Sequence, residues 1–429
     1  MRTPIAVLLA VVSLGALGLV ASRQFGGLSY GSSRGDVIPA VTPCSTLPAP
    51  GYVRGVYALW DDDTPLSPAL IASKGVVGIL LHGAWNTIES VRGTDDWSKL
   101  DARIQEAANA GLTVALSVDT SIGLTPDWLR NEPGLHTITL RDTNKFHKTY
   151  CSASQKYPVY WDPIYVKERD AFLHAAGIHF ASNSAIVAVM ATPFSFLTDD
   201  WNVPHLGTTQ SPVSLDCTSV NGHTYTITEI SDWLAAGYST DKMLAAGLDD
   251  LSTMAIAFPT QAIKAALQVT SDQLDGTKWA LADHFATQAY DQPFGNRLYI
   301  QINTFNGQFP VTTDPSVVNA TQEDSPGYAL KLLSLHNPKI GVQMAAGAVN
   351  GGSDGCRLNG FVLPCDPPTV LQHIAATSLT YHPRFFEVWK GDGDDAALSS
   401  IFTNMTAQMG GQMRQGSLDT RTRDLANCR

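Results

Sequence analysis

Carboxylates recur where predicted strands end, and such groups can perform acid–base chemistry. Asp61 opens a run of three aspartates after the first strand, Asp119 ends the third, and Asp199 and Asp200 follow the fourth. Two carboxyl groups that flank a glycosidic bond can hydrolyse it, because one protonates the leaving oxygen while the other attacks the sugar or activates water. The pattern therefore suggests acid–base chemistry at the strand ends.

Four carboxylates are the candidate catalytic groups. We expect Asp200, or Asp199, to be the general acid, and Glu387, or Asp119, to supply the second carboxyl group. Glu387 alternates with apolar residues in its strand, so it should point into the protein, where a carboxylate must be paired or functional. An ion pair with Arg54 or Arg384 is the structural alternative for Glu387.

Aromatic, amide and acidic side chains near the other strand ends suit a saccharide, since aromatic faces stack on sugar rings and polar groups hydrogen-bond hydroxyls. The candidate substrate-binding residues are Trp60, Asp61, His82, Trp85, Glu89, Trp201, Asn303, Gln343 and Trp389. Each also has a plainer interpretation. The tryptophans could belong to the core, the Asp61 run could be a solvated turn, and Glu89 could order a loop.

The chain shows no pattern for a metal or an organic cofactor, and none is expected. His82, His136, His147 and His205 are scattered, without HxH or HExxH spacing. There is no Gly-x-Ser-x-Gly elbow, phosphate-binding Walker loop or dinucleotide fingerprint.

Short apolar runs alternate with segments of helical period, which indicates βα units around a parallel sheet. The predicted strands are 53–60, 76–81, 113–118, 185–191, 262–269, 298–303, 340–344 and 385–389. Eight such strands predict a closed (β/α)8 barrel with its chemistry at the C-terminal strand ends, whereas an open doubly wound sheet is the alternative. Long stretches at 130–162 and 197–228 predict loop insertions after the third and fourth strands.

The N-terminus has the layout of an export signal. A short basic start is followed by an apolar run that ends at Ala21, and residues 20–22 suit a cleavage site. The run is also close to the length of a membrane anchor, so a membrane association is expected only if it stays uncleaved. We predict a signal or anchor at 1–22, a Gly/Ser/Pro-rich linker at 23–50, and one barrel domain at 51–429, in a secreted or extracytoplasmic protein.

Six cysteines agree with an oxidising compartment. Many pairings are open, and connectivity does not follow from sequence. Our preferred pairs are Cys356 with Cys365, Cys151 with Cys217, and Cys44 with Cys428. The second pair would tie the two long insertions together.

Composition restricts the partners. Apolar residues make up 44% of the chain, and 28 Lys and Arg stand against 39 Asp and Glu, for a net charge of −11. This apolar content can form a large core. A nucleic acid partner is not expected, because phosphate binding needs a basic face.

One stretch resembles a known group of enzymes. The matching residues over 78–129 are Trp85, Ile88-Glu89, Gly93, Trp97, Leu100-Asp101, Gly111-Leu112 and Pro126-Asp127-Trp128-Leu129. They resemble the second and third βα units of clan A glycoside hydrolases, above all family 42 β-galactosidases and family 5 cellulase-like enzymes. The resemblance implies a (β/α)8 barrel that acts on carbohydrate.

The sequence departs from that group at its two catalytic positions. The group carries glutamates at the ends of strands 4 and 7, but no glutamate follows the fourth strand here, and Gln343 stands near the seventh. An amide cannot be the attacking carboxylate, so the usual pair does not carry over.

Three hypotheses follow. The leading one is a secreted glycoside hydrolase-like protein that acts on an oligo- or polysaccharide. The alternative is a catalytically inactive glycan-binding barrel, which Gln343 favours. The third is a surface-anchored structural protein, if the N-terminal run is retained.

Overall fold

The computed structural model describes residues 53–143, 149–192, 207–267, 285, 287–305, 339–345, 347–349 and 366–411. Within them the strands are β1 Gly55–Asp61, β2 Val76–Ala84, β3 Thr113–Asp119, β4 Thr137–Leu140, β5 Gln155–Pro158, β6 Ile186–Ala191, β7 Val213–Cys217, β8 His223–Ile227, β9 Ala262–Leu267, β10 Leu298–Phe305, β11 Ile340–Met344 and β12 Phe385–Val388.

Helices lie between the strands. They are α1 Pro68–Ala72, α2 Trp85–Ile88, α3 Ser98–Asn109, α4 Asp127–Arg130, α5 Pro163–Phe180, α6 Thr218–Asn221, α7 Glu229–Ala235, α8 Thr240–Ala257, α9 Pro367–Leu379, α10 Lys390–Gly393 and α11 Ser399–Gln408. Short 3-10 turns occur at Ile122–Leu124, Gly295–Arg297 and Ala396–Leu398. No helix in the described ranges is long and apolar enough to cross a membrane.

Eight parallel strands close into a barrel in the order β1-β12-β11-β10-β9-β6-β3-β2. The (β/α)8 prediction is confirmed, and each of the eight predicted strands overlaps one of these. The open-sheet alternative is wrong, because β1 pairs with both β2 and β12 and so leaves no edge.

The barrel has apolar packing on both sides of its wall, as the alternation of side chains along each strand requires. Tyr57, Leu80 and Phe385 belong to the cluster inside the barrel. Their strand neighbours, such as Val56 and Ile79, belong to the larger cluster beneath the helices.

Two of the long helices begin at an aspartate followed by a proline. Asp162 accepts hydrogen bonds from the backbone N–H groups of Ile164 at 2.8 Å and Tyr165 at 3.1 Å at the start of α5. Asp366 accepts from Thr369 N at 3.0 Å at the start of α9. Such side chains satisfy N–H groups that have no partner within the helix, and the proline lacks one.

Both predicted insertions contain an antiparallel hairpin. The first is formed by β4 and β5, and the second by β7 and β8. The predicted disulfide between Cys151 and Cys217 is confirmed, with a Cα–Cα distance of 5.8 Å. Asn221 Nδ2 donates to Cys151 O at 2.8 Å, and the Arg141 guanidinium lies 3.5 Å from the centre of the Tyr225 ring, so the two insertions form one joined structure. Cys44, Cys356, Cys365 and Cys428 lie outside the described residues.

Candidate functional site: the C-terminal mouth of the barrel

Three predicted site residues lie at the C-terminal ends of neighbouring strands. Asp61 on β1 pairs in register with His82 on β2, and Ala84 on β2 pairs with Asp119 on β3. Asp61 is exposed, His82 is half-buried, and Asp119 is buried. Because these strand ends meet at one rim, the mouth of the barrel carries polar and acidic groups on this side.

Asp119 is held by the turn that follows its strand. One of its carboxylate oxygens accepts a hydrogen bond from Ser121 N at 2.8 Å. The next residue, Thr120, donates its N–H to Thr192 Oγ1 at 3.2 Å, which links the end of β3 to the residue after β6. Asp119 thus has a fixed position at the mouth, beside the strand that leads toward Asp199 and Asp200.

Trp389 lies directly after β12, the strand that pairs with β1. Its side chain is 41% exposed, and its indole N–H donates to Met344 O at 3.0 Å. This bond joins the ends of β11 and β12 and fixes the plane of the ring. In the described ranges, Trp389 is the one aromatic residue among the exposed large hydrophobic side chains.

Glu387 points into the barrel, as predicted, but it lies below the mouth and is fully buried. Its carboxylate forms an ion pair with Lys264 of β9, which is equally buried, and its second oxygen accepts from Gln301 Nε2 at 2.6 Å. The structural alternative expected an ion pair of Glu387 with Arg54 or Arg384. An ion pair is present, but the partner is Lys264. A buried charge is tolerated because an opposite charge and a hydrogen bond replace water.

Amide side chains extend the network from Glu387 toward the rim. Gln301 Nε2 also donates to Asn303 Oδ1 at 2.5 Å, and Gln301 Oε1 is buried and has no hydrogen-bond partner among the described residues. Gln343 on β11 pairs in register with Glu387 and is 5% exposed. The floor of the mouth therefore carries amides and a neutralised carboxylate.

Trp60 does not face the mouth, contrary to its prediction as a substrate-binding residue. It is 1% exposed and packs in the apolar cluster beneath the helices. Its indole N–H donates to Thr64 O at 2.8 Å, and Lys390 Nζ lies 4.8 Å from the ring centre. The alternation along β1 explains this position, because Tyr57 and Leu59 take the inward-facing places.

Trp85 and Glu89 also serve the structure rather than the mouth. Trp85 is fully buried and stacks on Phe172, with ring centres 5.3 Å apart. Glu89 accepts from Trp85 Nε1 at 2.9 Å and from Gly93 N at 2.6 Å. Burial raises the pKa of Glu89 even though both hydrogen bonds oppose this change. The interpretation of Glu89 as a loop-ordering residue fits these contacts, and its prediction as a substrate-binding residue, like that of Trp85, is not supported by them.

Asp392 is a further buried carboxylate near the mouth, and it was not predicted from the sequence. Asp392, in α10, is fully buried and accepts from Ala348 N at 3.1 Å and Val349 N at 2.8 Å. Burial raises its pKa to about 6, against the effect of those two hydrogen bonds. Asp392 thereby holds the segment after β11 against the turn that carries Trp389.

Lys264 was not predicted as a site residue either, although its place in an apolar strand indicates a buried charge. It is the one charged residue in the strand sequence AIKAAL, and a lysine flanked by apolar residues in a barrel strand requires a buried partner.

Three predicted site residues, Asp199, Asp200 and Trp201, lie outside the described residues. In the part of the chain that the structure covers, no group of three or more His, Cys, Asp or Glu side chains could hold a metal ion.

Comparison with known proteins finds similarity in structure alone. No family model and no curated protein sequence matches the chain. A β-galactosidase from the psychrophilic Marinomonas ef1 is similar with a TM-score of 0.49 and 10% identity, over 82% of this chain and 59% of that chain. A psychrophilic family 10 endo-β-1,4-xylanase has a TM-score of 0.45 and 10% identity, over 79% of this chain and 86% of that one.

A thermostable mutant of a Cellvibrio japonicus xylanase gives a TM-score of 0.43 and 10% identity, over 80% of this chain and 89% of that chain. The fold is a (β/α)8 barrel. That conclusion rests on the strand order of the chain itself. The chain spans 59% of the length of the β-galactosidase, and at these identities and TM-scores the similarities carry no argument about activity.

Proposed function

We propose that the protein binds an oligo- or polysaccharide at the C-terminal mouth of its barrel. Trp389 is the observation that carries the proposal. An indole that is 41% exposed, with its N–H already bonded to Met344 O, presents a fixed apolar face to solvent. Such a face suits the carbon–hydrogen side of a sugar ring.

Polar groups around the mouth supply the second requirement for binding a sugar. Asn303 belongs to the amide network at the floor, Gln343 pairs in register with Glu387, and Asp61 and His82 lie at the rim. Amide, imidazole and carboxylate groups can donate to or accept from ring hydroxyls. A stacking face beside convergent polar groups is typical of a ligand cleft.

The inactive glycan-binding alternative agrees best with the residues at the floor of the mouth. Two-carboxylate hydrolysis needs a second carboxylate that can reach the sugar. Glu387 is fully buried, and its carboxylate is bound by Lys264 and Gln301. Position 343, which pairs in register with it, carries an amide. We therefore remove Glu387 from the catalytic candidates and propose binding without turnover as the main function.

A direct test uses the purified chain and a panel of oligosaccharides that includes xylo-oligosaccharides and β-galactosides. We expect calorimetry to detect binding of at least one of them, while reducing-sugar release stays at the level of a blank. Steady turnover that a single substitution abolishes without loss of folding would reject the non-catalytic proposal.

Glycoside hydrolysis is the second candidate, and the position of Asp119 favours it. This carboxylate is fixed at the mouth, and the neighbouring Thr120–Thr192 bond brings its strand end against the strand that leads to Asp199 and Asp200. In this case Asp200, or Asp199, would protonate the leaving oxygen and Asp119 would be the second carboxylate. Asp119→Asn and Asp200→Asn would then each abolish turnover, whereas saccharide binding would remain.

Export is part of the proposal. The Cys151–Cys217 disulfide fits an oxidising compartment, which is where a protein carrying the N-terminal signal would fold. Sequencing the N-terminus of the mature protein tests this: a start at about residue 23 supports cleavage, and an intact Met1 supports the anchored form.

A further inference from the structure

The turn that carries Trp389 is built by the short helix directly after β12. Trp389 precedes α10, and its carbonyl oxygen accepts from Asp392 N and Gly393 N, both at 3.0 Å. A Cβ added to Gly393 would lie 2.8 Å from Ala58 Cβ, so the helix packs directly on β1. The backbone next to Trp389 is therefore fixed against the barrel.

The segment 347–349, which follows β11, lies against the same turn. Asp392 Oδ2 accepts from Ala348 N at 3.1 Å, and Asp392 Oδ1 accepts from Val349 N at 2.8 Å. A Cβ added to Gly347 would lie 3.4 Å from Trp389 Cβ and 3.7 Å from Asp392 Oδ2. The segment thus borders the Trp389 side chain, and Asp392 holds it there through both carboxylate oxygens.

The residues at the end of β11, just before this segment, have anchors of a different kind. Met344 O accepts from the Trp389 indole at 3.0 Å, and Ala345 N donates to Phe305 O at 2.8 Å. Neither bond involves a group that titrates. The end of β11 is therefore held at any pH, whereas the segment 347–349 is held by a carboxylate.

The two bonds to the segment need Asp392 in its ionised form. A carboxylate accepts with both oxygens, whereas a protonated carboxyl group carries a donor on one of them. Protonation therefore places an O–H against a backbone N–H and removes one of the two acceptors. Asparagine at this position has the same defect, because its amide offers one acceptor oxygen beside a donor NH2 group.

The surroundings of Asp392 set the pH at which this change occurs. Burial raises the pKa of Asp392 to about 6 against the hydrogen bonds from Val349 N and Ala348 N, and Asp395 raises it further. The segment 347–349 carries no titratable side chain. The charged groups on the elements around α10 are Lys390, which lies over the Trp60 ring, Asp394, which accepts from Ser67 Oγ, Asp395, and the aspartates 61–63.

We propose that Asp392 is a positioning residue of the saccharide site and makes its affinity depend on pH. The ionised residue holds the segment 347–349 beside Trp389, and the protonated residue gives up part of this hold, so saccharide binds more weakly. The inference rests on the saccharide binding proposed at Trp389. The free energy of unfolding responds in the opposite sense, because protonation also removes the cost of burying a charge.

Hydrogen exchange of the free protein tests the positioning without any saccharide. Mass spectrometry follows the backbone amides of a peptide that contains 347–349 at about pH 5 and about pH 7.5, with rates corrected for the intrinsic effect of pH. We expect stronger protection at the higher pH in the parent. Asp392→Asn should show the weaker protection at both.

Calorimetry over the same pH range, with the tightest oligosaccharide from the panel, tests the affinity. We expect the parent to bind about fivefold more weakly at the lower pH, and Asp392→Asn to bind weakly at both. Asp250→Asn is the matched control. Asp250 is also a buried aspartate whose pKa burial raises to about 6, but it lies on α8 beside Arg169, so this variant should keep the pH profile of the parent.

The outcomes separate this inference from the proposed function. Absence of saccharide binding at every pH rejects the proposed function and the inference together. Saccharide binding that does not change with pH in the parent, or a pH profile that Asp392→Asn retains, overturns the inference alone. Equal protection of the segment at both pH values does so too. Melting curves identify a variant that fails to fold, in which case the exchange and binding profiles of the parent decide.

Discussion

Lys264 and Glu387 form an ion pair inside the barrel, and both side chains are essentially inaccessible to water. They come from β9 and β12, which are not neighbours in the barrel, so the pair spans its interior. A carboxylate predicted to perform chemistry at the rim instead joins two walls of the barrel below it.

The first prediction concerns the stability that depends on this pair. Lys264→Met leaves the Glu387 carboxylate buried without its counter-charge, so we expect the free energy of unfolding to fall by about 3–5 kcal/mol. The double variant Lys264→Met/Glu387→Gln should recover most of that loss, because no buried charge remains and Gln301 keeps an acceptor. Denaturant unfolding measures both, and a double variant as unstable as the single one would contradict this account.

The second prediction concerns pH. Asp250 is a buried residue of α8 that lies beside Arg169. The pKa of Asp392 and the pKa of Asp250, each raised by burial to about 6, lie above the ordinary value of 3.8. Between these values the folded protein binds more protons than the unfolded chain, so the stability contributed by these groups is greatest at low pH and is lost as pH rises through about 6. Each group changes the free energy of unfolding by about 3 kcal/mol across this window.

Asp392→Asn isolates one of these groups. The stability of the parent should fall between about pH 4 and pH 6. We expect a smaller fall for the variant, because its side chain does not titrate. Asp366→Asn is the control, because that helix-capping carboxylate has a lowered pKa and its pH dependence has the opposite sign. Unfolding curves at several pH values give the slopes, and equal slopes for the parent and Asp392→Asn would show that Asp392 does not titrate there.

The third prediction concerns the disulfide that joins the two insertions. Cys151 and Cys217 are 66 residues apart in sequence, and the bond restricts the unfolded chain over that length. We expect Cys151→Ser/Cys217→Ser to lower the free energy of unfolding by about 2–4 kcal/mol. The barrel strands should still form, since the hairpins lie outside the barrel sheet. An unchanged free energy of unfolding would mean that the insertions stay joined without the bond.

The barrel was predictable because its strands are short apolar runs separated by helical periods. The hairpins β4–β5 and β7–β8 were not, since four of the five residues in β8 are polar, among them His223 and Thr224, and such a strand looks like a loop. The disulfide and the contacts between the insertions join the two hairpins, and Ile138, Leu140 and Tyr157 of the first hairpin pack in the larger apolar cluster. No local sequence pattern reports these contacts.

The site was predicted less well than the fold, for two physical reasons. Trp60 and Trp85 stand at strand ends. A shift of one residue along a strand reverses the side of the barrel wall that a side chain faces, and both tryptophans face the helices. The pairing of Glu387 with Lys264 joins residues 123 positions apart in sequence. Both lie alone in apolar strands, and only the closed barrel brings them together.

Binding of a saccharide at Trp389 is the central claim, and one titration tests it most directly. With the tightest ligand from the oligosaccharide panel, we expect Trp389→Ala to bind at least about tenfold more weakly than the parent, while Trp389→Phe keeps part of the affinity. Ile256→Ala, an exposed change on the distant α8, should have no effect. Trp389→Ala that binds as tightly as the parent, with an unchanged melting temperature, would contradict the account.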